Sequence, residues 1–497
     1  NVNPITRLDY PDPDVIRVED TYYMVSTTMH FMPGCEILQS FDLVHWEHVT
    51  YVYETLDHTD AQQLKSGQNI YGQGMWAASL RYHEGRFCIC FVANDTRKTY
   101  LYTSEKIDGP WKKQLIEGFY HDGSLLFDED GRNYIVYGND EIWITELNED
   151  LTAPKKDGLH RLLVSDHKNP ELGYEGSHIQ KINGYYYIFL IHSLRDRWMR
   201  TEACFYSDSL EGEFTGGDVL CDDRGYCGQG VAQGGIVDTP DGKWYAMLFQ
   251  DSGAVGRIPI LLPVTWKDHF PFFGQNGHVP EEIEVHSTRP GYIYQPLVGS
   301  DDFCNGLLPR WQFNHDPDPR YYHLDALQGT YTITTREVCT ELTQAVNTLT
   351  QRMSYPSCAA EVTVDASALK ECDVAGLCAL QSCYAAVGIT KHHGKYEVLM
   401  LDKKEDGILD MTEGTVVESH QMDFRLEADF CNMKDEARCY YRVNKGDWLP
   451  IGTVHKLYFK LDHFTGCRFG LFCYAAEETG GSACFRDFKY YDVDEIS

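Results

Sequence analysis

At 497 residues, with 43% hydrophobic and 13% aromatic side chains, the chain is long enough for two or three domains and apolar enough to bury real cores, which excludes wholesale disorder. Its 43 Lys and Arg stand against 75 Asp and Glu, a net charge of −32, which repels phosphate backbones and anionic lipid and argues against nucleic-acid or membrane partners. No apolar run approaches the ~18 residues that a spanning helix needs.

The chain opens Asn1-Val2-Asn3-Pro4, without the basic and apolar stretches of a secretory leader, which suits a mature or intracellular chain. Strand signals follow at once: short runs of Tyr, Ile, Val, Phe and Thr broken by Asp-Gly, Asn-Gly and Glu-Gly turns. A turn followed by an aromatic strand recurs five times, at Glu19-Asp20-Thr21-Tyr22-Tyr23, Glu84-Gly85-Arg86-Phe87, Asp130-Gly131-Arg132-Asn133-Tyr134, Asn183-Gly184-Tyr185-Tyr186-Tyr187 and Asp241-Gly242-Lys243-Trp244-Tyr245. With Thr21, Gly85, Gly131, Gly184 and Gly242 as markers, the periods are 64, 46, 53 and 58 residues. Periods near 50 in an all-β chain predict propeller blades, here five. Counting nine residues back from each marker gives Asp12, Trp76, Asp122, Glu175 and Gln233. Equivalent positions on innermost strands converge at one mouth of the channel, so three carboxylates, a tryptophan and an amide are predicted to face one point.

Beyond residue ~255 the repeat stops. Ile258-Pro259-Ile260-Leu261-Leu262-Pro263-Val264 reads as an apolar strand that closes the ring, and Pro271, Gly274, Gly277, Pro280, Pro290 and Pro296 mark a connector. From about Asp301, alternating strands such as Tyr331-Thr332-Ile333-Thr334 and Ala360-Glu361-Val362-Thr363-Val364 predict a β-sandwich. The expected fold is therefore all-β: a five-bladed β-propeller over residues 1–295 and a β-sandwich accessory domain over 296–497. Nothing in the second region looks catalytic, and both packing and sugar binding stay open for it. The 17 cysteines are odd in number and scattered, with no CxxC…CxxC zinc set. So many unpaired thiols predict a reducing compartment, the cytoplasm.

Carboxylates in pairs are the equipment for cleaving glycosidic bonds: one protonated to donate to the leaving oxygen, the other ionised to attack the sugar or activate water. A third carboxylate beside them keeps the donor protonated by like-charge repulsion. Trp76 alone reads more readily as core than as a sugar platform, and its place in the ring makes the two readings equal.

The opening Asn3-Pro4-Ile5 … Tyr10-Pro11-Asp12-Pro13-Asp14 … Asp20-Thr21-Tyr22-Tyr23-Met24-Val25-Ser26-Thr27 strongly resembles that of glycoside hydrolase family 43, the five-bladed β-xylosidases, α-L-arabinofuranosidases and arabinanases. Ser40-Phe41-Asp42-Leu43-Val44-His45-Trp46, Gly74-Met75-Trp76-Ala77, Asp122-Gly123-Ser124-Leu125 and Glu175-Gly176-Ser177-His178 extend the resemblance in order. The region from ~300 looks like the sandwich of the xylosidase-type branch. Carried over residue by residue, the resemblance implies that Asp12 is the general base, Asp122 the pKa modulator and Glu175 the general acid. It further implies an inverting, exo-acting hydrolase that removes terminal xylose or α-L-arabinofuranose from xylo- or arabinoxylo-oligosaccharides. Trp76 matches the family's sugar platform, and Arg257 an arginine that binds sugar hydroxyls. Phe31 and His30 follow the first strand pair in a loop that either walls the pocket or simply packs. Where many relatives place a histidine that helps hold a channel calcium, this chain has Gln233, a weak metal ligand. No cofactor is therefore expected to be required, and a channel calcium is expected to be loosely held at most.

Two other readings remain at this stage. An invertase-type fructosidase also joins a five-bladed propeller to a sandwich, but it carries an Asn-Asp-Pro-Asn nucleophile where this chain has Tyr10-Pro11-Asp12-Pro13. A non-catalytic sugar-binding propeller would be expected to have a broken carboxylate set, whereas all three acids are present.

Overall fold

Runs of aromatic and β-branched residues favour a pleated, half-buried surface, and nearly every such run here is a strand. In the computed structural model, which describes residues 2–496, five four-stranded antiparallel sheets follow one another along the chain. They span residues 14–53, 75–116, 124–165, 175–220 and 236–273 and form the five blades of a β-propeller. In each blade the first strand lies at one edge of the sheet and the last at the other. The apolar run predicted to close the ring lies within Arg257–Lys267, the third strand of blade 5. Closure is made along it by the N-terminal segment: the Asn3 amide exchanges two hydrogen bonds with the Leu261 backbone, and the Ile5 and Tyr10 N–H groups donate to Pro259 and Arg257. Arg17 of blade 1 then bonds Asp238 of blade 5 through both its carbonyl and its carboxylate.

The turn markers are correct as turns but not uniform in length. Blades 1, 2 and 4 turn directly, with Val18 paired to Thr21, His83 to Arg86 and Ile182 to Tyr185. Blades 3 and 5 interpose five residues, between Phe127 and Asn133 and between Asp238 and Trp244. Thr21 is the residue after its turn, whereas Gly85 and Gly184 are the last residues of theirs, so a fixed count of nine overshoots by one residue in blades 2 and 4. The corrected equivalents are Asp12, Ala77, Asp122, Gly176 and Gln233, and all five adopt a left-handed backbone, with φ of 55°, 38°, 48°, 65° and 66°. In blades 2 and 4 this residue lies in a bulge, since the ladder skips one residue between Trp76 and Ser79 and between Glu175 and His178. Bulges re-aim side chains, and Trp76 and Glu175 are the residues just ahead of them.

The second domain is a sandwich of a nine-stranded and a seven-stranded sheet over one continuous apolar core that includes Trp311, Phe313, Tyr331, Phe424, Phe469 and Phe485. One strand of the larger sheet comes from the propeller: Phe31–Met32, in blade 1, pairs with Gln312–Asn314. The seam is charged as well as apolar. The Arg352 guanidinium pairs with Glu36 at 3.2 Å, donates to the Asp9 carbonyl and lies 4.0 Å over the Tyr10 ring, all buried. Removing one partner of such a buried pair costs about 3–5 kcal/mol, so the two domains are locked rather than tethered. Among the described residues no helix is long and apolar enough to cross a membrane, and all 17 cysteines are free thiols.

Candidate active site

The five left-handed residues form one row around the channel, and the residues just before them form a second: Pro11, Trp76, His121, Glu175 and Ala232. Three side chains of the second row carry chemistry. The first row supplies the carboxylates of Asp12 and Asp122, and the backbone N–H groups of Ala77 and Gly176 hold them in place. Ala77 N–H donates at 2.8 Å to the Thr27 hydroxyl, which in turn donates at 2.5 Å to Asp12 Oδ2. Gly176 N–H donates directly to Asp122 Oδ2 at 2.9 Å. Glycine is required at 176: besides the positive φ, a Cβ there would lie 2.6 Å from the Gln233 side chain.

Asp12 is buried, and its Oδ1 meets the Arg257 guanidinium at 3.4 Å. Burial pushes its carboxyl up and Arg257 pulls it down, while the charge of Asp122 adds to the rise; the net shift is upward. A raised proton affinity suits a carboxylate that is to take a proton from water. Asp122 is shifted the other way: burial raises it, but the charge and hydrogen bond of His121 outweigh this and hold it below the ordinary aspartate range.

His121 is the residue that the sequence reading missed. Its Nε2 stands 3.3 Å from Asp122 Oδ2 and 3.1 Å from Glu175 Oε2. Burial opposes its charge, but the two carboxylates lift it to about 11, so the ring is an imidazolium at neutral pH. Glu175 is about one-fifth exposed, and its Oε1 has no hydrogen-bond partner among the described residues. Asp12 and Glu175 thus belong to separate networks, one anchored on Thr27 and Arg257, the other on His121.

Trp76 lies between His121 and a residue of the sandwich, with its ring 6.3 Å from the imidazole at 68° and 5.7 Å from Phe464. Arg257 is only 3% exposed. Its Nη1 serves Asp12, while its buried Nε and Nη2 have no partner. Phe464 lies 4.3 Å from the guanidinium carbon and Phe249 5.5 Å. Buried donors rarely stay unused, and two of them on one guanidinium beside the acids suit the hydroxyls of a ligand. Asp9 fixes this corner: its Oδ1 takes the Arg257 N–H at 2.8 Å and its Oδ2 the Gly466 N–H at 2.9 Å, tying the loop of Phe464 to the strand of Arg257. The sandwich is therefore part of the site, which its sequence did not suggest.

His30 and Phe31 fall elsewhere. Both are 1% exposed. Phe31 is the strand residue shared with the sandwich and carries the Arg468 guanidinium 3.5 Å over its ring. His30 packs against Phe31, Tyr71 and His315, and burial pushes it well below the usual imidazole range. They brace the seam rather than wall the cavity of Asp12 and Asp122. The reason is the strand exchange, which pulls this loop into the second domain. Gln233 does line that cavity, along with Asp12, Ser79, Asp122, Ser177 and His178, and its N–H is held by the wholly buried Glu202. Burial raises the Glu202 carboxyl well above its ordinary range.

The donor atoms of His121, Asp122 and Glu175 all lie within 4.8 Å of one another, a spacing that metals also use. Here the shared nitrogen faces two carboxylates as a proton donor, which satisfies the cluster as an ion-paired bridge.

Comparisons with known proteins agree with this architecture. The family model described as glycosyl hydrolases family 43 matches residues 2–271, and that of the β-xylosidase C-terminal concanavalin A-like domain matches 300–491. A solved bifunctional GH43-CE protein of Bacteroides eggerthii is 41% identical, with a TM-score of 0.92 over 99% of this chain; this chain spans 63% of that protein. A β-xylosidase of Formosa agariphila is 26% identical over 99% of this chain and 89% of its own length. The non-reducing end α-L-arabinofuranosidase BoGH43B of Bacteroides ovatus is 25% identical over 66% of this chain and 63% of its own length.

Proposed function

The chain belongs to glycosyl hydrolases family 43, and on that premise we propose that it is an exo-acting, inverting glycoside hydrolase that removes terminal β-D-xylose or α-L-arabinofuranose from xylan-derived oligosaccharides. The observation that carries this reading is the pair of separately held carboxyl groups: Asp12 beside Arg257, and Glu175 with a free Oε1 beside the Asp122–His121 bridge. In this reading the terminal pentose binds at the channel mouth, with its hydroxyls on the unused Arg257 donors and one face against Trp76. Glu175 donates the proton of Oε1 to the glycosidic oxygen as the C1–O pair leaves with that oxygen. Asp12 takes a proton from the water that attacks the opposite face of C1, so configuration inverts. Asp122 opposes premature loss of the acid's proton by like-charge repulsion. A sandwich loop reaching the site favours a pocket that admits a chain end, hence exo action.

A substrate panel tests the proposal. We expect release from p-nitrophenyl β-D-xyloside or α-L-arabinofuranoside, single pentoses from the ends of xylobiose or arabinoxylan oligosaccharides, and none from sucrose. Binding without turnover on every substrate would mean a sugar-binding propeller, and sucrose hydrolysis an invertase-type enzyme.

The chemistry needs no metal. In the channel, both Asp12 oxygens and Asp122 Oδ2 already meet protein donors, which leaves Asp122 Oδ1, the Gln233 amide and the buried, unpartnered Ser177 hydroxyl as spare oxygens among the described residues. Calcium takes 6–8 oxygens, mostly anionic or carbonyl, and one carboxylate oxygen with two neutral ones does not fit a tightly held ion. EDTA is accordingly expected to lower kcat/KM by less than about tenfold, well short of a metal's usual electrostatic contribution. A complete loss restored by calcium would overturn this. The unpaired thiols support a cytoplasmic location, and the acidic surface supports a neutral oligosaccharide as the partner.

A further inference from the structure

Of the three chemical side chains on the second row, Trp76 and Glu175 have roles in the proposed reaction and His121 has none. We propose that His121 is the positioning residue of the acid: its single Nε2–H, shared between Asp122 and Glu175, makes Oε2 of Glu175 an acceptor and leaves Oε1 as the oxygen that carries the transferable proton. The inference rests on the reading of Glu175 as the general acid.

Nε2 faces carboxyl oxygens on both sides, at 3.1 and 3.3 Å, and its place beside Asp122, whose carboxyl it holds below the ordinary range, assigns the hydrogen to that nitrogen. A protonated carboxyl has one hydroxyl and one carbonyl oxygen, and the oxygen that accepts from His121 is the carbonyl. The proton is thereby confined to Oε1, the oxygen with no partner among the described residues. Asp122 reinforces the arrangement, because the same Oδ2 that meets His121 also takes the N–H of Gly176, the residue after Glu175. Trp76 stands edge-on to the imidazole, and the His121 carbonyl accepts the Gly138 N–H, so neither ring nor backbone is free to swing. When the Oε1–H bond breaks and the proton passes to the glycosidic oxygen, the new carboxylate already faces an imidazolium.

The charge has a second consequence. His121 favours the ionised form of Glu175, whereas Asp122 favours the protonated form, so the two neighbours act on the basic limb of the pH–rate profile with opposite signs. The other charged groups around them are Asp12 and Asp14 near the first strand of blade 1, His178 and Arg200 of blade 4 and Arg257 of blade 5, and none of them hydrogen-bonds Glu175 among the described residues.

The test measures His121→Phe, His121→Gln and Asp122→Asn on xylobiose and on an aryl xyloside with a good leaving group, with Glu175→Ala alongside. His121→Phe keeps an aromatic ring but removes donor and charge. Its kcat on xylobiose is expected to fall about 10–100-fold, part of the usual general-acid contribution, with KM nearly unchanged. The aryl substrate should lose less than about threefold, because it needs little protonation. The basic limb should move to higher pH by about one unit, the size of a single charge effect. His121→Gln restores a donor without charge, so it should recover much of the xylobiose rate while the limb stays high. Asp122→Asn should move the limb to lower pH. Equal losses on both substrates with an unmoved limb, or no loss at all, would overturn the proposal. If His121→Phe fails to fold, the limb of His121→Gln decides. If Glu175→Ala itself spares xylobiose, the acid assignment fails and takes this inference with it; if Glu175→Ala discriminates and the His121 variants do not, this inference alone falls.

Discussion

Glu175→Ala will cost most of the general-acid contribution, about 10²–10⁴-fold, on xylobiose and far less on an aryl xyloside with a low-pKa leaving group. That range corresponds to about 3–5 kcal/mol of transition-state stabilisation. Xylose leaves as an alkoxide unless it is protonated as the bond breaks, whereas an activated phenol leaves unaided. The expected signature is therefore a ratio: the wild-type protein handles the two substrates with a modest difference, and the variant separates them by orders of magnitude. The Glu175 side chain is partly exposed and bonded only to His121, so its removal opens no core cavity and thermal stability should be nearly unchanged. Parallel kcat/KM measurements on the two substrates settle the matter. An equal loss on both would show that Glu175 shapes or binds the substrate rather than protonating it.

Why the blades can be read from sequence while the site's register cannot comes down to where each marker sits relative to its turn. Hairpins with Gly at the turn announce themselves, so five repeats and their order are visible. Thr21 follows its two-residue turn, whereas Gly85 and Gly184 are the second residues of theirs, and this backbone difference shifts the equivalent positions by one in blades 2 and 4. The shift still reaches Glu175 and Trp76, which stand just ahead of the left-handed residues, but it hides His121. Aligned on the left-handed row, His121 stands in register with both, and that alignment is the signal that would have found it. Phe464 was beyond such a signal, since it reaches the site only through the docking of two domains that lie far apart in sequence. Phe31 stays open in the sequence, between walling the pocket and packing, for a related reason: two residues are too few to announce that a strand belongs to the other domain's sheet.

Asp12→Ala is expected to be severe on both substrate types, because water must be activated whatever the leaving group. A loss of about 10²–10⁴-fold on xylobiose and aryl xyloside alike follows from losing the base. The near-isosteric Asp12→Asn should behave the same way while keeping hydrogen bonds to Thr27 and a neighbour for Arg257, which separates lost chemistry from lost structure. The base acts only when ionised, so activity falls as pH drops through its titration. Because burial raises the Asp12 carboxyl, the acidic limb of kcat/KM should lie above the ordinary aspartate value of ~3.9, and both variants should abolish it. The stereochemistry of the product then distinguishes a base from a nucleophile. A water activated by Asp12 attacks C1 once, from the face opposite the leaving group, so NMR should detect α-xylose as the first anomer from a β-xyloside, with β-xylose appearing only through mutarotation. If β-xylose forms first, Asp12 attacks the sugar directly, a covalent intermediate intervenes, and both the single-displacement mechanism and the role of Asp12 as a base are wrong.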